Sequence, residues 1–293
     1  MKKRLVYIWS LRNAAADKAG QHIAYKDGTR YMKSVLESLV EALENTALGD
    51  IYSLEKILFD DDADHLADRD KLQEYGFSSG STPHWFFPPL LTVQGRTVAS
   101  LMSAMPSSYR QYPSGDSRRL EGKQAFEGRM EKALIDVKAD VVVLDGLLII
   151  LNDLIRPAAP FHRRIINIHP GITSATSPYQ RRGAYASLDA LYGARGVKVV
   201  NWQCMETVPC KTLSRTGASL HYVDEGIDSG EVIYEALNTT IAADDTILEL
   251  RWNNFNQSLY PALHEGLMVL GATSTPNGSN SFGIVDPNAL LEA

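Results

Sequence analysis

Cysteine is scarce: Cys204 and Cys210 are the only two in 293 residues, and neither stands in a Cys-x-x-Cys or histidine-rich setting. A zinc site is therefore left without a ligand set, no metal is expected, and both thiols are expected to be free and buried. Basic residues are also in deficit. Lys and Arg number 29 against 35 Asp and Glu, a formal net charge of −6, so the chain lacks the basic face that binding to a nucleic-acid backbone requires. Long apolar runs are missing as well. The longest, Val141 to Leu151, is interrupted by Asp145 and falls short of the ~20 residues that span a bilayer. The basic start Met1-Lys2-Lys3-Arg4 is followed by an apolar stretch that ends at Arg12 and Asn13, too short for a signal peptide. A cytoplasmic protein with no membrane or nucleic-acid partner is the expectation. Glycine is absent from Ser10 to Ala16, after the first apolar segment, which excludes the Gly-x-Gly-x-x-Gly turn of a dinucleotide-binding module.

What is present suits a soluble enzyme. The 44% hydrophobic content is enough for one large α/β domain, expected over residues 1–272, with a mobile tail over 273–293. Arg4 to Trp9 reads as a first strand and Tyr31 to Glu44 as an amphipathic helix, with Ile51 to Phe59 as the next strand. The acidic segment Asp60 to Asp70 reads as a solvated connection, and Gly76 to Gly95 as a loop packed by Trp85, Phe86 and Phe87. A long helix over Arg118 to Ala139 leads into a buried strand at Val141, and Arg164 to Ile168 forms the next. This is the alternation of a doubly wound, mostly parallel sheet. Ala184 to Tyr192 reads as a helix, Val197 to Trp202 and Ala218 to Asp224 as strands, and Glu231 to Thr239 as a segment pairing with them. A closing helix, Ile247 to Leu270, should be kinked or split by Pro261.

The most specific feature is a polar pair at the end of a strand. Side chains two apart on a strand share a face, so Asn167 and His169 project together while Ile166 and Ile168 turn into the core. Pro170 and Gly171 then end the strand, leaving the pair at its carboxyl end, where open α/β sheets place ligands. The turn Glu225-Gly226-Ile227-Asp228-Ser229-Gly230 has glycines flanking the aspartate, which permits close backbone approach and can bring Asp228 against the imidazole. Asn, His and Asp together supply what an acyl transfer without a covalent intermediate requires: a donor to the developing oxyanion, a proton carrier, and a carboxylate to orient it.

The pattern Asn-x-His-Pro, followed by Thr-Gly-x-Ser-x-His-x-Val-x-x-x-x-Asp-x-Gly from Thr216 to Gly230, resembles the folate-dependent formyltransferase family over roughly residues 139 to 235. The resemblance implies a Rossmann-like formyltransferase fold with additional loops, a formyl donor N10-formyltetrahydrofolate, and Asn167, His169 and Asp228 as catalytic residues. It further implies a folate pocket lined by Leu148, Ile149 and Leu151 together with Asp224, Glu225, Gly226 and Ile227. His221, inside a strand, suits a supporting or packing role. Residues Leu5 to Asn13, Asp17 to Gly20 and Tyr31 to Glu37 are similar to a narrower group, the hydroxyornithine formyltransferases of pyoverdine-type siderophore pathways. That similarity implies L-N5-hydroxyornithine as acceptor and N5-formyl-N5-hydroxyornithine as product. Both substrates are small molecules; the oligomeric state is left open.

Three departures shape the expectation. Ser10-Leu11-Arg12-Asn13 stands where glycinamide ribonucleotide enzymes carry a Gly-Ser-Asn phosphate loop, which argues against a phosphorylated acceptor. The segment from Gly171 to Gly183 differs from the family and should shape the acceptor pocket, with Arg12, Asn13, Gln180, Arg181 and Arg182 as candidates to hold an amino acid's carboxylate. An insert around Val199 to Arg215 lengthens the path from His169 to Asp228 and carries no assigned role. A formyltransferase acting on an amino-sugar nucleotide or glycinamide ribonucleotide, or a formyltetrahydrofolate hydrolase, remains an open alternative on sequence.

Overall fold

The computed structural model describes residues 1–60, 66–76 and 86–273. Seven strands build its central sheet: β1 (Lys3–Trp9), β2 (Tyr52–Phe59), β3 (Met102–Ala104), β4 (Val141–Asp145), β5 (Ile165–His169), β6 (Arg215–Tyr222) and β7 (Val232–Thr240). Their spatial order is β3-β2-β1-β4-β5-β6-β7. The first five are mutually parallel, while β6 runs antiparallel to β5 and β7 antiparallel to β6. The strand order reverses direction between β1 and β4, so a crevice opens at their carboxyl ends.

The sequence dictates this sheet through apolar runs that have no polar face. Along β1, Leu5, Tyr7 and Trp9 join one core and Val6 and Ile8 the other, and along β4 Val141 and Val143 split from Val142 and Leu144 in the same way. A strand covered on both faces must be apolar at every position, as in a parallel sheet between helical layers. One layer contains α1 (Leu11–Ala16) and α2 (Val35–Asn45); the other contains α3 (Ser117–Asp136). After α4 (Ala186–Ala194), the chain closes through α5 (Ile247–Asn254) and α6 (Tyr260–Ala272).

Several expectations need correction. The expected helix from Tyr31 is preceded by a hairpin, Gln21–Tyr25 paired with Gly28–Met32, and α2 begins only after Ser34, whose side chain accepts from the Glu37 N–H at 3.0 Å. A serine followed three residues later by glutamate caps a helix and fixes its start there. The segment Val197–Asn201 pairs with Glu206–Pro209 and stays out of the central sheet; β7 pairs with β6 alone of the two expected partners. Cys204 and Cys210 lie on and beside this outlying hairpin and are exposed, which reverses the expectation of buried thiols. The closing helix is interrupted by a wider π-type turn at Phe255–Leu259, with Pro261 in the first turn of α6, where its missing N–H costs least. Residues 61–65, 77–85 and 274–293 lie outside the described residues, and with them most of the expected tail, part of the acidic connection and Trp85 of the expected aromatic loop. Among the described residues no helix is long and apolar enough to cross a membrane, and no group of His, Cys, Asp and Glu converges as metal ligands do.

Candidate active site

A cleft of about 370 Å³ lies over the carboxyl ends of β1, β4 and β5. It is lined by Asn167, His169 and Asp228, and these side chains meet. Asn167 and His169 come from β5, where Ile166 and Ile168 are buried as the alternation requires. Asp228 comes from the turn after β6 and stands at φ 47°, a left-handed backbone conformation that aspartate tolerates better than most residues. The flanking glycines allow the approach. A Cβ on Gly230 would sit 1.8 Å from the Tyr222 carbonyl oxygen, and one on Gly226 1.9 Å from Ser229 Oγ.

The three side chains are joined to one another and to the surrounding chain by hydrogen bonds. The Asn167 Nδ2 donates to Asp228 Oδ1 at 3.1 Å and lies 3.3 Å from His221 Nε2. His221 Nδ1 lies 2.8 Å from the Tyr222 carbonyl oxygen. A carbonyl can only accept, so Nδ1 carries a proton, while Nε2 also lies 3.5 Å from Asp228 Oδ1. His169 Nε2 lies 2.9 Å from the Arg181 carbonyl oxygen and its Nδ1 3.3 Å from Asp228 Oδ2. By the same reasoning Nε2 is always protonated, and Nδ1 is the atom that gains or loses a proton. The Gly183 N–H completes the arrangement, donating to Asp228 Oδ2 at 2.8 Å.

The electrostatics follow from burial and these contacts. Burial alone would raise the Asp228 carboxyl, but the imidazoles of His221 and His169 and the Gly183 N–H outweigh it and bring its pKa down to about 2. Burial also pushes the His169 imidazole below its ordinary value, opposed by the Asp228 carboxylate and the Arg181 carbonyl. A carboxylate ionised at all working pH values thus faces an imidazole that burial biases toward its uncharged form, an arrangement suited to passing one proton through Nδ1.

Two further regions complete the cleft. On one side Leu147, Leu148, Ile149 and Ile150 follow β4 and face the 223–228 segment. Leu148, Ile150 and Ile227 are 61%, 42% and 60% exposed, an apolar mouth of the kind that a flat ring system covers. On the other side Trp9, Asn13, Asp17, Ser34 and Asp145 form a chamber beyond β1, which Phe255 and Leu259 also border. There Tyr7 donates to Asp145 Oδ2 at 2.5 Å, and Arg251 pairs with Asp17 at 3.1 Å. Burial pushes the Asp145 carboxyl up to about 7, against the Tyr7 hydrogen bond and with help from the charge of Asp17.

Of the residues expected to bind folate, Leu148, Ile149, Asp224, Gly226 and Ile227 line the cleft. Leu151 does not: it is fully buried in the core beneath α3 with Phe126, because Glu127 accepts from the N–H groups of Asn152 and Asp153 at 2.9 and 2.8 Å and draws the chain down there. Glu225 also stays out of the cleft wall. Of the residues expected to bind acceptor, only Asn13 reaches the cleft. Arg12 turns to Asp60, 4.0 Å away, and the side chains of Gln180 and Arg181 are tied to carbonyls of their own loop, those of Thr173 and Gln180. Arg181 still contributes, through its carbonyl on His169. Sequence reasoning passed over that main-chain group, the Gly183 N–H and Asp17. Asp145 had a visible signal: a charged residue breaking an otherwise apolar run.

Comparison with known proteins agrees with this geometry. Residues 94–263, more than half of the chain, match the family described as formyl transferase. The chain is 27% identical over 159 residues to phosphoribosylglycinamide formyltransferase of Bacillus subtilis (strain 168), which covers 53% of this chain and 67% of that one. Glycinamide ribonucleotide transformylase 1 from Symbiobacterium toebii shares the fold at 16% identity, with a TM-score of 0.53 over 93% of this chain and 89% of that one. Far more similar is PvdF of pyoverdin biosynthesis, reported as a structurally unique N10-formyltetrahydrofolate-dependent formyltransferase. It is 60% identical with a TM-score of 0.86, covering 92% of this chain and all of that one. An Asn-His-Asp cluster at the switch point of a doubly wound sheet thus comes with matches in sequence and in fold, and the chain belongs to the formyl transferase family.

Proposed function

We propose that the protein transfers the formyl group of N10-formyltetrahydrofolate to the hydroxylamine nitrogen of L-N5-hydroxyornithine, giving a hydroxamate for siderophore assembly. The 60% identity to PvdF across nearly the whole chain carries the donor and the pathway. The chamber beyond β1 supports the acceptor. Among the described residues its wall, like the rest of the cleft wall, contains no lysine or arginine, while Asp145 faces it together with Asp17, the latter already paired with Arg251. Phosphate-bearing acceptors need cationic or N–H-rich walls, so this chamber suits an acceptor with an ammonium group. Asn13, whose Nδ2 donates one hydrogen to the Gly146 carbonyl at 2.5 Å, has a second N–H to offer its carboxylate.

The chemistry needs little base. An unmodified ornithine amine, with a pKa near that of lysine at ~10.4, is almost wholly protonated at pH 7, whereas N-hydroxylation lowers the basicity and leaves a neutral nucleophile. Bound folate supplies an activated formyl carbon. Asn167 Nδ2 stabilises the oxyanion that develops on it by exchanging its longer contact, the one to His221. His169 Nδ1 takes up the proton released by the attacking nitrogen, with Asp228 stabilising the imidazolium so formed, and returns it to the departing nitrogen of the folate.

The test is release of tetrahydrofolate, followed by absorbance, with L-N5-hydroxyornithine, L-ornithine, N6-hydroxylysine or no acceptor. Turnover is expected with hydroxyornithine and not with ornithine. Equal turnover without acceptor would instead mean hydrolysis. A second expectation concerns pH. With the Asp145 carboxyl pushed up to about 7 by burial, an ammonium must displace its proton on binding. The KM for acceptor should fall as pH rises from 6 to 8, and Asp145→Asn should raise KM and flatten that dependence.

A further inference from the structure

The loop between Gly171 and Gly183 reaches the site twice, through the Arg181 carbonyl on His169 and the Gly183 N–H on Asp228. Its own shape is held from outside the site, by Glu235 on β7. Glu235 Oε1 accepts from the N–H groups of Thr173 at 3.0 Å and Ser174 at 2.9 Å, and Oε2 accepts from Ser174 Oγ at 2.7 Å. Ser219, fully buried and opposite both Glu235 and His169 in the sheet register, places its Oγ 2.8 Å from Glu235 Oε1, 2.9 Å from the Gly171 carbonyl and 2.9 Å from the Thr173 N–H.

The fixed end of the loop then holds the returning end. The Thr173 carbonyl accepts from Arg182 Nε and Nη2 at 3.1 and 2.7 Å and from Gln180 Nε2 at 3.2 Å. The Arg181 N–H donates to the Ile172 carbonyl at 2.8 Å. The path from Glu235 to the imidazole thus runs through hydrogen bonds and short stretches of main chain, and the bonds made by the Glu235 carboxylate and the Arg182 guanidinium are charge-assisted, stronger and geometrically stricter than neutral ones.

We propose that Glu235 is a positioning residue for formyl transfer: through the 171–183 loop it holds the Arg181 carbonyl on His169 Nε2 and so keeps Nδ1 as the proton-carrying atom. The inference rests on the function proposed above, but its signature does not need the acceptor. With the Arg181 carbonyl in place neutral His169 exists as the Nε2–H tautomer, and without it the imidazole is free to place its proton on Nδ1, against Asp228, which moves the accepting lone pair to Nε2 and away from Nδ1.

The experiment compares wild type with Glu235→Ala and Glu235→Gln by three readouts: steady-state kinetics, binding of the folate donor, and the 15N shifts of His169 in histidine-labelled protein. In Glu235→Ala, kcat is expected to fall ~10- to 100-fold, the lower end of what a misplaced acid–base group costs, with the folate dissociation constant within about twofold of wild type. The His169 shifts should move toward a mixture of tautomers, and Glu235→Gln, which keeps one accepting oxygen for the two N–H groups, should recover most of the loss. Should Glu235→Ala fail to fold, Glu235→Gln and Ser174→Ala carry the test, each with a smaller change of the same sign in kcat and in the His169 shifts. Unmoved His169 shifts in all the folded variants would overturn the proposal, as would a loss that appears equally in folate binding. If hydroxyornithine is the wrong acceptor, wild-type turnover is absent while the tautomer shift persists, so the two failures are distinguishable.

Discussion

Asp228→Asn is expected to lower kcat by about 10³–10⁴ while leaving the fold and the folate affinity nearly unchanged. The carboxylate accepts from Asn167 through one oxygen, and through the other from Gly183 while facing His169 Nδ1. An amide keeps one accepting oxygen and places two hydrogens where the other was. Either the Asn167 amide or the Gly183 N–H then meets a donor, depending on which oxygen is replaced, and the imidazolium formed during transfer loses its counter-charge. Asparagine is the informative replacement because it tolerates the left-handed backbone at φ 47°; alanine would add strain and confuse position with charge. The pH behaviour gives a second check. A carboxyl held at about 2 contributes stability that is fully present above its unfolded value near 4 and is lost as pH falls toward 2. The variant should therefore unfold with a weaker dependence on pH in that acid window. A kcat within tenfold of wild type would remove Asp228 from proton handling.

Gly230→Ala is expected to have the largest structural effect of any single methyl in the site, about 1–3 kcal/mol of destabilisation, as measured by denaturant unfolding. Its Cβ would lie 1.8 Å from the Tyr222 carbonyl oxygen and 2.8 Å from the Tyr222 carbonyl carbon, both main-chain atoms at the end of β6. Neither can swing aside as a side chain would. The same carbonyl accepts from His221 Nδ1, and the same turn carries Asp228, so separating the two segments displaces His221 and Asp228 together. Turnover should fall in step with stability, whereas in Asp228→Asn the fall in kcat far exceeds what the lost carboxylate stabilisation accounts for. Unchanged stability in Gly230→Ala would mean that the turn relaxes without cost and that the glycine has another purpose.

The frame of the fold was legible because β1 and β4 are apolar at successive positions, a pattern that only strands covered on both faces sustain. The meeting of Asn167, His169 and Asp228 was legible too, from side-chain alternation and a glycine-flanked turn. What escaped was of three kinds. Main-chain groups such as the Arg181 carbonyl and the Gly183 N–H have no letter in the sequence, and only the path of the loop decides where they point. Tyr31 and Met32 fit a helical stripe by spacing, yet they belong to a hairpin, because the cap at Ser34 starts the helix after them. The cysteines were expected inside on residue type alone, but they belong to the outlying hairpin region, where Tyr185 and Trp202 stack at 4.4 Å apart from the central sheet. Asp145 shows the opposite lesson: its charge was visible in the apolar run, and its meaning came only with the chamber it faces.

The most direct measurement uses N10-formyltetrahydrofolate labelled with 13C in the formyl group, L-N5-hydroxyornithine and the intact protein, with products resolved by carbon NMR and mass. The account predicts one labelled product, carrying the formyl carbon on the hydroxylated nitrogen, formed in step with tetrahydrofolate. Label recovered as formate, or on the α-amine, would contradict it.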